Sequence, residues 1–298
     1  MEIMHVVFVL TILCFGLANG QIYDVLKFGA KGDGTTDDSE PKLSATQRPT
    51  QLHFQGCSNL QITGITSVNS PKNHISISNC KNVVITKIKL VAPDLSPNTD
   101  GVDISGSSNV NIFDTIIGTG DDCVAINTGS INIYITRMFC GPGHGISVGS
   151  LGRNGEESEV ENVLVTDCTF NKTDNGARIK TWPNGKGYAR NIAFKNINLI
   201  DTKNPIIINQ NYIDKGRILD VEKSAVAISN VTFTDIHGTS QLDEIVKIDC
   251  SKVTYCKNII LDQIDITTVN GKKPIVECNN VYGKSSNGNE IDGCFMQQ

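Results

Sequence analysis

Along most of this chain, apolar residues recur at alternate positions in short runs, each introduced by an asparagine and closed by polar residues and a turn. Asn59-Leu-Gln-Ile, Asn82-Val-Val-Ile, Asn109-Val-Asn-Ile and Asn132-Ile-Tyr-Ile carry the phrase. It returns at Asn162-Val-Leu-Val, Asn191-Ile-Ala-Phe, Asn230-Val-Thr-Phe and Asn258-Ile-Ile-Leu. The eight asparagines are spaced by 23, 27, 23, 30, 29, 39 and 28 residues, a solenoid period.

Each unit is rich in Val, Ile and Thr with period-two alternation and is punctuated by Gly, Asn and Ser, which predicts short strands. One coil cannot bury its own apolar face. Coils stacked in register form parallel sheets with strands about 4.8 Å apart and enclose a continuous core. The expected fold is therefore all-β, a parallel β-helix. The repeated Asn suits a turn that needs left-handed backbone, and aligned side chains can hydrogen-bond along the stack. An antiparallel sandwich would not require one phrase at near-constant spacing.

The first twenty residues change the picture only at the end of the chain. An apolar run from Val6 to Leu17, broken by Thr11, leads to Ala18-Asn19-Gly20, a small-x-small pattern before Gln21. Residues 1–20 are expected to be a secretory signal peptide, too short to span a membrane. Met1 to His5 carry no Lys or Arg, so a buried N-terminal helix is the alternative. Residues 21–47 are expected to form a shortened N-terminal segment and 48–298 the β-helix domain.

Removing Glu2 and Cys14 from 31 acidic residues and ten cysteines leaves 30 and nine, against 26 basic residues. This mild acidity argues against nucleic acid as a partner. An anionic polymer would have to be held by a few local cations. The nine cysteines show no zinc spacing, so no metal is expected, and a secreted chain favours disulfides. An odd count leaves at least one thiol free. Asn171-Lys-Thr and Asn230-Val-Thr are glycosylation sequons.

Candidate chemistry follows from the same period. Asp100 precedes Asp121 and Asp122 by 21 and 22 residues, and His144 lies 22 beyond Asp122. Arg178-Ile179-Lys180 follows after one longer coil. Equal phase on a solenoid means neighbouring positions on one lateral face. Asp121 and Asp122 would point to opposite faces of an ideal strand, so the strand must bend or end there, and Gly120 permits that. Close carboxylates raise the proton affinity of one of them, as a general acid requires. Taken singly, Asp-Asp after Gly and Asn98-Thr99-Asp100-Gly101 are ordinary turns, His144 is an ordinary loop histidine, and Arg178 with Lys180 an ordinary solvated face. Their shared phase distinguishes them.

Ser96-Pro-Asn-Thr-Asp-Gly101, Gly120-Asp-Asp-Cys123, Cys140-Gly-Pro-Gly-His-Gly-Ile-Ser-Val-Gly-Ser150 and Arg178-Ile-Lys180 resemble, in order, the four signatures of plant polygalacturonases, glycoside hydrolase family 28. The resemblance runs from about Arg48 to the C-terminus and takes in Gln21 to Ser39. It implies a right-handed β-helix that hydrolyses α-1,4-galacturonosyl linkages in de-esterified pectin with inversion. It further implies that Asp121 protonates the glycosidic oxygen, that Asp100 and Asp122 activate water, and that His144 supports Asp121. Inversion requires acid and base carboxyls about 6.5–9.5 Å apart, which one or two strand spacings supply. Arg178 and Lys180 become the contacts to substrate carboxylates, with Asn98 beside them; Tyr212, in Asn209-Gln-Asn-Tyr212, is a further candidate contact whose alternative is a structural loop tyrosine. The implied disulfides are Cys123 with Cys140, Cys250 with Cys256 and Cys278 with Cys294, with Cys57, Cys80 and Cys168 unassigned. No cofactor is expected, and the chain is expected to be a secreted cell-wall monomer with no membrane association after signal cleavage.

The sequence departs from that pattern between Ser39 and Arg48, where the family carries on the order of one hundred more residues of cap and first coils. Relatives also often carry a cysteine pair where Ile213 and Val221 to Ser224 stand here. A catalytically silent or misfolded shortened relative that at most binds pectin is the rival reading, and a rhamnogalacturonan hydrolase is a weaker enzyme alternative.

Overall fold

The computed structural model describes residues 10–13, 48–213, 223–286, 291 and 293–296. The remainder of the expected signal peptide and the segment 21–47 lie outside the described residues. Leu10–Leu13 forms a strand paired with Leu52–Gln55.

The described residues form two parallel sheets. The first has ten strands, and beyond Leu10–Leu13 and Leu52–Gln55 each coil contributes the next one. They are Ile75–Ser78, Val102–Ser105, Val124–Ile126, Ile146–Leu151, Asn175–Thr181, Asn204–Asn209, Glu244–Asp249 and Ile275–Asn279. The second has eleven, from Gln61–Thr63 to Val281–Ser285. No α-helix occurs among the described residues; a short 3-10 turn spans Arg153–Gly155. The architecture is the right-handed parallel β-helix.

The inward face of the first sheet shows why the repeat folds this way. Ile77, Ile104, Ile126, Val148, Ile179, Ile208 and Ile248 pair in register from coil to coil, and all are buried. Each contributes about 1.5–3 kcal/mol by burial. Across the core, Phe194 and Phe233 stack with centroids 5.6 Å apart.

The asparagines behave as the sequence predicts. All eight have φ between 54 and 59°. From Asn82 onward, each Nδ2 donates to the Oδ1 of the asparagine one coil before, at 2.8–3.1 Å. A β-branched residue would resist that backbone, and the ladder satisfies the amides at each turn.

The strands of the second sheet are longer than expected, reaching 17 residues in Lys186–Thr202. The six long strands each hold the ladder asparagine and, further along, a second left-handed residue: Asp114, Arg137, Asp167, Asn196, Asp235 and Gln263, with φ from 50 to 56°. Each such residue turns the chain without ending its hydrogen-bond ladder, so one strand continues round the coil past its bends.

Cys123 is joined to Cys140, Cys250 to Cys256 and Cys278 to Cys294. Cys80 and Cys168 are buried free thiols. Burial raises the Cys168 thiol to about 12, which leaves it a packing group without thiolate chemistry.

Candidate active site

The site is assembled where three coils leave the second sheet and enter the first. Strand Ser108–Gly118 ends before Asp121, and strand Val124–Ile126 begins after Asp122, so both aspartates occupy the bend between them. This resolves the opposite-face problem of adjacent residues on a strand. Gly120 serves the bend by close approach, since a Cβ there would sit 2.0 Å from the Ser96 carbonyl oxygen.

One coil earlier, the buried Thr99 hydroxyl accepts from the Gly120 N–H at 2.9 Å and donates to the Ser96 carbonyl at 2.8 Å. This clamp fixes the turn bearing Asn98 and Asp100 against the turn bearing Asp121. The Gly101 N–H donates to the Asp122 carbonyl, and the His144 N–H to the Asp121 carbonyl, both across coils. Gly145, at φ 82°, would place a Cβ 2.0 Å from the Asn175 carbonyl, so glycine lets the His144 turn close against the next coil.

Asp122 is the buried member. Its Oδ1 accepts from Arg178 Nη2 at 2.5 Å and from the Ser147 hydroxyl at 2.8 Å, and its Oδ2 accepts from Lys180 Nζ at 2.8 Å. Burial alone would raise its proton affinity, but the two cations and their hydrogen bonds outweigh it and lower the pKa to about 2. Arg178 and Lys180 share the outward face of strand Asn175–Thr181, with Ile179 between them in the core. Alternation by two thus brings both cations onto one carboxylate.

Asp121 is half-buried and opens on a cleft of ≈ 310 Å³. Nδ1 of His144 lies 2.9 Å from its Oδ1. That hydrogen bond raises the proton affinity of the imidazole, burial opposing it. Asn98 lines the same cleft. Lys180 Nζ lies 5.4 Å from the centre of the Tyr212 ring, and Tyr212 meets Trp182 edge-on, so Tyr212 borders Lys180.

The raised proton affinity expected among close carboxylates appears on Asp100 and on Asp103. Burial pushes Asp100 well above the ordinary value, and Asp103, Asp121 and Asp122 add to it. Asp103 is pushed up to about 7 by burial and by Asp122, although the Asn73 amide donates to it.

Four members of this constellation are absent from the sequence reading. Asp103 stands three residues beyond Asp100 on an outward strand position, where period-two alternation could have flagged it. Ser147 pairs in register with Arg178 on the adjacent strand, and its hydroxyl accepts from Arg178 Nε at 2.7 Å. Asp174, 3.5 Å from His144 Nε2, and its ion-pair partner Lys203 line the cleft one and two coils further on. Lysine and aspartate are common in strand-flanking turns and serine on strands, and only phase within an irregular repeat could have marked Ser147, Asp174 and Lys203.

A right-handed parallel β-helix with three aspartates, a histidine and two cations grouped on one lateral face is the class that fold and site define. The chain belongs to glycosyl hydrolases family 28, whose family model matches residues 24–287. It is 49% identical over 244 residues to a probable polygalacturonase of Arabidopsis thaliana, covering 80% of this chain and 54% of that protein. It is 39% identical over 269 residues to the polygalacturonase of Persea americana, covering 87% and 58%. An endo-xylogalacturonan hydrolase from Aspergillus tubingensis superposes with a TM-score of 0.70 at 27% identity, covering 80% of this chain and 69% of that one. The chain spans about half the length of the curated relatives it matches.

Proposed function

We propose that this chain hydrolyses α-1,4-galacturonosyl linkages in de-esterified pectin, as a secreted monomer of the cell wall. The observation that carries the reading is the division of labour between adjacent aspartates. Asp121 faces an open cleft beside His144, whereas Asp122 is buried and held ionised. Family membership and the polygalacturonases among its relatives support the same substrate.

In this reading Asp121 gives its proton to the glycosidic oxygen as the bond to the anomeric carbon breaks. A water attacks that carbon from the opposite face, and its proton passes to Asp122. One displacement inverts the anomeric centre. Asp100, whose surroundings favour its protonated form, orients the water. Arg178 and Lys180 supply the cations that a mildly acidic protein needs to hold a polyanion, Arg by a planar fork and Lys as a point charge. Tyr212 and Asn98 border the bound sugars.

Reducing-sugar release from polygalacturonate by the purified chain tests this, with Asp121→Asn beside it. Release by the wild type that falls by about 100-fold or more in the variant is expected. Equal inertness of both proteins, while both bind the polymer, would overturn it in favour of a silent pectin binder.

A further inference from the structure

Arg178 and Lys180, which the proposed function gives to the substrate, are in this structure bound to the carboxylate that must activate water. Their side chains are only 12% and 10% exposed, and that of Asp122 2%. Ser147 occupies a further lone pair of Asp122. A carboxylate clamped by two cations and a hydroxyl attracts a proton weakly and is a poor base for water. The groups that make Asp122 an anion also disable it.

Each cation nevertheless has capacity left. Among the described residues, Nη2 and Nε of Arg178 are engaged while Nη1 has no protein partner, and Lys180 Nζ uses one of its three N–H donors. A second carboxylate drawn to those donors would bring a negative charge within a few ångströms of Asp122. In a buried site a like charge at that range raises proton affinity, and the low dielectric strengthens the effect. The other charged groups facing Asp122 are Asp100, Asp103, Asp121 and His144. None of them is the group on which an esterified and a free sugar differ.

Resting on the pectin-hydrolase reading, we propose that the substrate's own carboxylate switches on the base. A galacturonate seated on Arg178 and Lys180 shares those cations and releases Asp122 to accept the proton of water. A methyl-esterified sugar in the same place leaves Asp122 clamped. The free carboxylate thus governs turnover in addition to binding, and Arg178 and Lys180 act as a specificity device on the rate.

The test follows the Asp122 carboxyl carbon by NMR in the full chain labelled at aspartate carboxyls, with the resonance assigned by its loss in Asp122→Asn. Asp121→Asn is used as the background to prevent turnover. The midpoint is measured alone, with digalacturonate and with its dimethyl ester. Digalacturonate is expected to move the midpoint upward by about one pH unit or more and the ester to leave it in place. In the wild type, esterifying an oligogalacturonate is expected to lower kcat at least about tenfold, beyond any rise in KM. A bound digalacturonate that leaves the midpoint unmoved, or an ester that moves it equally, overturns the switch alone. Failure of digalacturonate to bind overturns both the switch and the substrate assignment.

Discussion

Nδ1 of His144 lies 2.9 Å from Oδ1 of Asp121, and Nε2 lies 3.5 Å from Oδ2 of Asp174, so one imidazole spans carboxylates from the coils on either side. The Asp121 hydrogen bond and the nearby negative charge hold a proton on the ring above its ordinary pKa of 6.5. Activity is therefore expected to be greatest on the acidic side and to fall as pH rises through the raised His144 pKa. His144→Gln should remove that alkaline limb and lower kcat by about 100-fold. Initial rates on polygalacturonate from pH 3 to pH 9 check this; an optimum well above neutrality contradicts the assignment.

Ser147 bridges the Arg178 guanidinium and the Asp122 carboxylate from the adjacent strand. A hydrogen bond to a charged group contributes about 1.5–3 kcal/mol. Ser147→Ala should lower stability by about 2 kcal/mol, measured by chemical denaturation at pH 5. An unchanged midpoint would show that the hydroxyl does not support the pair.

Stability should peak near pH 4, because Asp122 pulls against Asp100 and Asp103. The folded pKa of Asp122, about 2, lies below the ordinary 3.8, so its contribution is complete above about 4 and is lost as pH falls toward 2. The folded pKa of Asp103, about 7, lies above it. The unfolded chain then releases the Asp103 proton first, and stability declines as pH rises from about 4 to 7. Denaturation midpoints across pH 3 to 8 should show both limbs, and Asp103→Asn should shrink the upper one, leaving the part that belongs to Asp100. An upper limb that is unaltered in Asp103→Asn would assign it to another group.

The asparagine ladder joins a backbone requirement to a side-chain one, and two substitutions at Asn162 separate them. Asn162→Gly keeps access to φ 59° but loses the amide bonds to Asn132 and Asn191. Asn162→Ala loses both. Alanine should cost about 1–2 kcal/mol more than glycine, as expected for non-glycine residues in left-handed backbone. Equal denaturation midpoints would mean that the hydrogen bonds alone matter.

Much of this architecture is legible in the sequence because a solenoid translates local pattern directly into global position. Alternation decides that Ile179 enters the core while Arg178 and Lys180 face outward. The recurring Asn marks a turn whose backbone few residues tolerate. Phase brings Asp100, Asp122 and His144 to one lateral region. The Asp114 to Gln263 bends were less visible, because Asp, Arg, Asn and Gln all occupy that left-handed site and leave no single repeated letter.

The adjacent aspartates mark the boundary between the two kinds of information. Sequence alone determined that Asp121 and Asp122 lie in a turn beside Asp100 and ahead of two cations on one strand face, since strand period and coil period fix backbone placement. Only the tertiary structure decided that Arg178, Lys180 and Ser147 converge on Asp122, that His144 bonds to Asp121, and that the raised proton affinities fall on Asp100 and Asp103. Charges a few ångströms apart compete through distance, burial and hydrogen-bond direction, and long side chains from separate coils settle that competition only once the coils are stacked.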